Sequence, residues 1–253
     1  MNPIAIGIVV FACAFGGAIV GIKLQAMLPE HHLSDESRGT VTVAIGLIAT
    51  MTALVLGLVT ASAKSHFDAV DTAVKHSVAD VLSLDRLLAR YGPETTTIRK
   101  GLMRLVENRI DMIWPRDQSR QPQFDPLGAG REAELFVAQI RALLPRTDEQ
   151  RWLRSRALDL GESLLVSRWT VGAALGTSIP TAFLSLLLFW LTITFASFGL
   201  FAPPNPTVVS ALFMCALSVA GAVFLILELD QPFDGLIRVS PEPLKYALSH
   251  LNQ

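Results

Sequence analysis

Four stretches of this chain, at about 3–22, 41–63, 178–201 and 207–227, approach or reach the roughly 20 apolar residues that cross the hydrocarbon core of a bilayer. A backbone in hydrocarbon must satisfy its own N–H and C=O groups, and a continuous helix of that length does so. The apolar residues are gathered into these blocks rather than spread. That is why a hydrophobic content of 51% and a mean hydropathy of +0.45 read as membrane spans and not as a large soluble core. The expected fold class is therefore an all-α integral membrane protein with four transmembrane helices. The first block is read as a retained span, because nothing basic precedes it and its flank "KLQAMLPEHH" offers no small-residue cleavage site.

Orientation follows from Lys and Arg. Of the 21 basic residues, 17 lie between Lys64 and Arg168, whereas the loop 29–40 holds only Arg38 and the turn "APPNP" at 202–206 holds none. Both short loops are thus expected outside, with the termini and the central segment in the cytoplasm. The expected organisation is 1–63 (spans 1 and 2 with a short outer loop), 64–168 (a helical cytoplasmic domain inserted between spans 2 and 3), 169–229 (spans 3 and 4) and 230–253 (a cytoplasmic C-terminal segment).

Within 64–168 the apolar residues recur at helical spacing. Phe67, Val70, Val74, Val78, Val81 and Leu88 make one stripe; Ile98, Leu102, Leu105, Val106 and Ile113 make a second. "YGPE" at 91–94 stops the first helix, and the Pro- and Gly-rich stretch 114–130 separates the second from a third at about 131–144. "TDEQ" at 147–150 has capping-box spacing and opens a fourth helix carrying Trp152, Leu153, Leu160, Leu164 and Leu165. No Gly or Pro interrupts "TASAKSHFDAVDTAV", so span 2 is expected to continue into the first cytoplasmic helix as one rod. The 17 basic residues of this region face 15 acidic ones, a balance that fits an ion-paired surface and excludes a concentrated nucleic-acid patch.

The second block is two-faced. At 100° per residue, Thr42, Gly46, Ala49, Ala53, Gly57 and Thr60 fall within about a third of the circumference, with Thr50 on the flank. Leu47, Met51, Leu54, Val55 and Leu58 lie opposite. Small residues four apart suit close helix packing in a bilayer; small and hydroxyl-bearing residues also suit the wall of an ion pathway. The stripe by itself leaves both open.

Other features carry less. Glu228, Asp230 and Asp234 crowd the end of the fourth span, where a helix terminus is already negative, so a neutralising partner is expected. An Arg is favoured over calcium, because three acids in seven residues match no calcium loop. His31 and His32, with Glu30, Asp35 and Glu36, read as an exposed polar loop rather than a metal site. Cys13 and Cys215 fall inside spans and imply no disulfide or zinc framework. No catalytic Ser/His/Asp spacing, phosphate loop, HExxH or CxxC is present, and the spans are nearly free of ionisable groups, which argues against an enzyme and a proton-coupled transporter.

Three stretches, "GLIATMTALVLGLVTASAKSHFD" (46–68), "LDRLLARYGPET" (84–95) and "FGLFAPPNPTVVSALFMCALSVAGAVFLILELDQPFDGLI" (198–237), together resemble the bacterial bestrophin-like membrane proteins, and the resemblance covers nearly the whole chain. True bestrophins are more distantly similar, in their four spans with a helical insertion and in an acidic Pro-Phe-Gly segment like "ELDQPFDG". That resemblance implies a homopentameric ion channel of the bacterial inner membrane, its partners being the lipid bilayer, further copies of itself and small inorganic ions. It makes Thr42, Gly46, Ala49, Thr50, Ala53, Gly57 and Thr60 pore-lining candidates, and Glu228, Asp230 and Asp234 candidates for gating or cation contact. Bestrophins narrow their pore with paired Phe and carry a run of acids that clasps calcium. Here no aromatic residue occurs in the second span before Phe67 and the acid run is missing, so selectivity and calcium gating do not carry over, and no cofactor or metal is expected.

The sequence reading is thus an oligomeric, anion-conducting channel lined by the second span, with the basic residues of the central domain concentrating anions. Its rival is a non-conducting membrane scaffold or sensor whose helical domain recruits a partner.

Overall fold

The computed structural model describes residues 2–29, 35–115, 128–173, 179–203 and 205–251. Among these the regular structure is helical: α1 (Pro3–Met27), α2 (Asp35–Tyr91), a single 3₁₀ turn (Pro93–Thr95), α3 (Thr96–Ile113), α4 (Gly128–Arg141), α5 (Asp148–Ala173), α6 (Thr181–Phe201), α7 (Pro206–Leu229) and α8 (Glu242–His250). Four of them, α1, α2, α6 and α7, are long and apolar enough to cross a membrane.

The helix ends follow from local chemistry. Asn2 and Asn205 each precede a proline and cap the helix behind it. The Asn2 Oδ1 accepts from the amides of Ile4 (3.0 Å) and Ala5 (3.4 Å), and the Asn205 Oδ1 accepts from Val208 (2.9 Å). α2 runs 57 residues without interruption, as the absence of Gly and Pro after Gly57 requires. It stops at Gly92, whose φ of 138° is open to glycine and strained for any other residue, followed by Pro93. The cap of α5 departs from the expected reciprocal box. Thr147 Oγ1 accepts from the Gln150 amide (3.1 Å), but the Gln150 side chain reaches one residue further back, to the amide of Arg146 (2.7 Å), and donates to the Tyr91 carbonyl (3.0 Å).

The chain forms two compact units, with α2 contributing to both. One comprises Met1–Ser65 and Ser178–Asp230, the other His66–Thr177 and Gln231–Gln253. In the first, Val10, Ala14 and Ala18 of α1 pack with Leu191 and Phe195 of α6 and with Leu212, Ala216, Ala220 and Val223 of α7. Phe11, Phe15 and Phe213 cluster beside them with ring centroids 5.3–5.7 Å apart.

The second unit covers the two apolar stripes of the central region. Val70, Val74, Val81, Leu88, Ile98, Leu102, Val106 and Ile113 are buried together, and Phe67, Val78 and Leu105 pack against them. Of the apolar residues assigned to α5, Leu153 is buried and Leu160, Leu164 and Leu165 are partly so, but Trp152 is exposed. The buried Asp85 of α2 and the half-buried Arg99 of α3 form a two-pronged ion pair, Nε to Oδ1 at 2.7 Å and Nη2 to Oδ2 at 2.8 Å. That pairing, ahead of the opposing effect of burial, raises the Arg99 pKa further above its ordinary value. Outside this core, the described ion pairs are exposed, such as Lys75–Asp71, Arg156–Asp159 and Lys245–Glu242, and each contributes at most about 1 kcal/mol.

The C-terminal segment belongs to this second core. Phe233 stacks edge-on against Trp114 (5.5 Å), the Trp114 Nε1 donates to the Val239 carbonyl (2.9 Å), and Val239, Leu244, Ala247 and Leu251 are buried.

Candidate functional site

α2 has three sectors rather than two. Ile45, Thr52 and Ala63 are buried, and Leu56 and Val59 pack against the core of the first unit, which makes a seam running down one side of the helix. On a helical wheel this seam lies about 85° from the centre of the small-residue face, on its flank. Leu47, Met51, Leu54 and Leu58, at the far side, are exposed, while Val55 is half-buried. The seam escapes a reading by residue size, because Ile45, Leu56 and Val59 are of the same type as the exposed apolar residues. Only contact distinguishes them.

The small-residue face itself is left uncovered by the described residues. Thr42, Gly46, Thr50, Ala53, Gly57 and Thr60 are exposed and Ala49 is half-buried. A Cβ added at Gly46 or Gly57 would meet no atom of the described residues within 4 Å. Of the four apolar helices, α2 is also the least covered: 11% of its apolar window is buried within the described chain, against 28%, 28% and 22% for α1, α6 and α7. Glycine in a helix interior costs about 1 kcal/mol relative to alanine. Contact with the described residues does not account for that cost at these two positions.

Three threonine hydroxyls of this stretch are turned inward to their own backbone. Thr50 Oγ1 donates to the Gly46 carbonyl (2.8 Å), Thr60 Oγ1 to Leu56 (2.7 Å) and the buried Thr52 Oγ1 to Ile48 (2.7 Å). A carbonyl only accepts, so the hydroxyl proton is spent on it. The side of Thr50 and Thr60 left facing away from the helix offers oxygen lone pairs and a methyl group.

The structure separates the three acids at the end of the fourth apolar helix. Glu228 and Asp230 are buried, rather than sitting at a solvated boundary, and both have interaction partners. Asp230 caps α7, its amide donating to the Ile226 carbonyl (3.1 Å). Asp234 is exposed and accepts from the Gly235 amide (2.9 Å) in a local turn where Gly235 has a φ of 84°. Among the described residues no group of three or more acidic, His or Cys side chains is arranged to hold a metal ion. Glu30, His31 and His32 lie outside the described residues, as do the side chains of Asp35 and Glu36. Cys13 and Cys215 are free thiols.

A second seam, between α1 and α6, has a signal in the sequence: small residues at helical spacing. Gly7, Val10, Ala14, Ala18 and Gly21 recur every three or four residues along α1 and are its buried positions. There the backbones of α1 and α6 meet: a Cβ on Gly21 would lie 1.9 Å from the Ala196 carbonyl oxygen, and one on Gly199 would lie 2.0 Å from that of Ala18.

These features define a class: an all-helical protein with several helices fit to span a membrane, one of them presenting an uncovered small-residue face. Residues 12–244 match the Bestrophin-like domain, and the chain belongs to the bestrophin-like family. No curated protein and no solved structure matches it.

Proposed function

We propose that this chain is an ion channel subunit of the bacterial inner membrane, assembling as a homo-oligomer, with a pentamer favoured, in which copies of α2 surround the conduction path. The observation that carries the reading is the uncovered face of Thr42, Gly46, Ala49, Thr50, Ala53, Gly57 and Thr60, where glycines sit without any close neighbour in the described chain. Family membership supports the same class of function. A single subunit with four spans is too small to enclose a conduit, so conduction requires several copies arranged about an axis. In that arrangement the seam holds α2 to its own subunit, the bulky sector meets lipid, and the small sector faces water and ions. Both termini and the helical unit lie in the cytoplasm in this proposal, in keeping with the excess of Lys and Arg there.

Anion conduction is the finer part of the proposal and rests on the 17 basic residues between Lys64 and Arg168, which raise the local anion concentration where they face the entrance. A cation-preferring pore is the second reading, favoured by one observation. Thr50 and Thr60 donate to their own backbone, so the oxygens they present are acceptors, suited to a hydrated cation more than to a halide. The non-conducting scaffold remains the rival of both.

Flux through liposomes containing the purified protein tests the three together. Chloride-selective flux supports the first, potassium-selective flux the second, and absence of flux across varied pH, calcium and voltage supports the scaffold. Within the channel readings, Ala53→Trp is expected to abolish flux while leaving the assembly's size unchanged. Unaltered flux through that variant would show that the small-residue face does not line the path.

A further inference from the structure

Between α3, α4 and α5 the second unit holds a cavity of about 100 Å³. Its walls are apolar, among them Val106 and Ile113 of α3, Phe136 and Val137 of α4, and Leu164 and Leu165 of α5. Two cations also line it, Arg109 on α3 and Arg168 on α5.

Arg109 is the anomaly. Its guanidinium is buried, although the residue as a whole keeps some contact with solvent, and the buried Nη2 has no hydrogen-bond partner. No ion pair to Arg109 exists among the described residues, in contrast to Arg99, which Asp85 neutralises by two bonds. The carboxylate that does line the cavity, Glu132, is exposed and accepts instead from the Asn108 amide (3.4 Å). Burial first, and the charge of Arg168 second, lower the Arg109 pKa to about 10, which still leaves it cationic at neutral pH. A buried charge is retained at this cost where something pairs with it. A water molecule would satisfy its N–H donors but not its charge.

The missing partner is thus an anion, and the cavity walls specify the remainder of that molecule as hydrocarbon. An apolar cavity of about 150 Å³ takes up benzene, so about 100 Å³ leaves room for roughly four carbon atoms. We propose that this cavity binds a short-chain carboxylic acid, the carboxylate on the Arg109 guanidinium and a tail of about four carbons among Phe136, Val137, Leu164 and Leu165. The site lies wholly within the helical unit, so the inference stands whether or not the protein conducts ions.

Calorimetric titration of the full-length protein in lipid nanodiscs tests it, with acetate, pentanoate, octanoate and pentanol as probes. Pentanoate is expected to bind saturably, at least about tenfold more tightly than acetate, which lacks the tail, and than pentanol, which lacks the charge. Octanoate should gain nothing over pentanoate, because the cavity is filled; affinity that keeps rising with chain length would mean partition into the lipid and overturn the proposal. Arg109→Met is expected to weaken pentanoate at least about tenfold, to leave pentanol unchanged, and not to lower the unfolding temperature of the unliganded protein. A residue needed only for structure would lower it. Ala133→Leu, which fills the cavity from α4, should weaken both probes, and it decides the matter if Arg109→Met fails to fold. Equal affinity for pentanoate and pentanol, pentanoate affinity surviving Ala133→Leu, or no binding by any probe would each overturn the assignment.

Discussion

Small residues step along α1 and along α2 at the same three-to-four spacing, yet the two helices use them for different ends. On α1 and its partner α6, Gly17, Gly21 and Gly199 sit where an added Cβ would run into backbone at 2.8, 1.9 and 2.0 Å. On α2, Gly46 and Gly57 face open space. In the first case glycine is demanded by the fold of one protomer, since only its absence of a side chain lets the two backbones touch. In the second the fold makes no such demand. Under the proposal made above, a helix that carries the glycine cost without a neighbour among the described residues meets a second copy, or the water and ions of a pathway.

The contrast can be broken by substitution. The largest effect is expected from Gly21→Leu, whose side chain has to displace the backbone of α6; little or no monodisperse protein should survive extraction, as read by size-exclusion chromatography. Recovery of well-behaved protein would mean that the α1–α6 seam is looser than described. Next comes the closed interior of the second unit. Asp85→Ala leaves the partly buried Arg99 unpaired and should cost about 1–3 kcal/mol, seen as a lower denaturant midpoint. On α2 the sign reverses. Gly57→Ala should stabilise the protein by about 0.5–1 kcal/mol through helix propensity, with reduced flux if the face lines a path. A marked loss of stability or of assembly would instead assign Gly57 to a tight contact between subunits. The smallest effect is expected from Thr50→Val, within about 0.5 kcal/mol in stability, since the hydroxyl bonds only to its own helix. Any change in ion selectivity it causes reports directly on the oxygen lone pairs at that position.

How much of this was legible beforehand depends on which residues are asked about. The four apolar helices and the stop at Gly92–Pro93 follow from block length and from the two residues that cannot continue a helix. The stripes Val70–Val74–Val81–Leu88 and Ile98–Leu102–Val106–Ile113 follow from period alone, because an apolar stripe at 3.6 spacing has to be covered. The seam of α2 was not legible. Ile45, Leu56 and Val59 are aliphatic like the exposed Leu47, Leu54 and Leu58, and a helix that is apolar nearly all round gives periodicity little to act on. Nor did spacing distinguish Glu228 and Asp230, which are buried, from Asp234, which is not.

By itself the amino-acid order determined where helices begin and end, which of them are apolar enough for a membrane, and which residues of α2 are small, for these depend on local propensity and on transfer from water. Tertiary structure decided the rest. It brought the α1 and α6 glycines into backbone contact and left Gly46 and Gly57 of α2 uncovered by the described residues, and it placed Phe233 and Val239 in the core of the helical unit. It also buried the Arg109 guanidinium with no carboxylate paired to it among the described residues. Each of these depends on what stands opposite a residue, and that is set by chain segments distant in sequence.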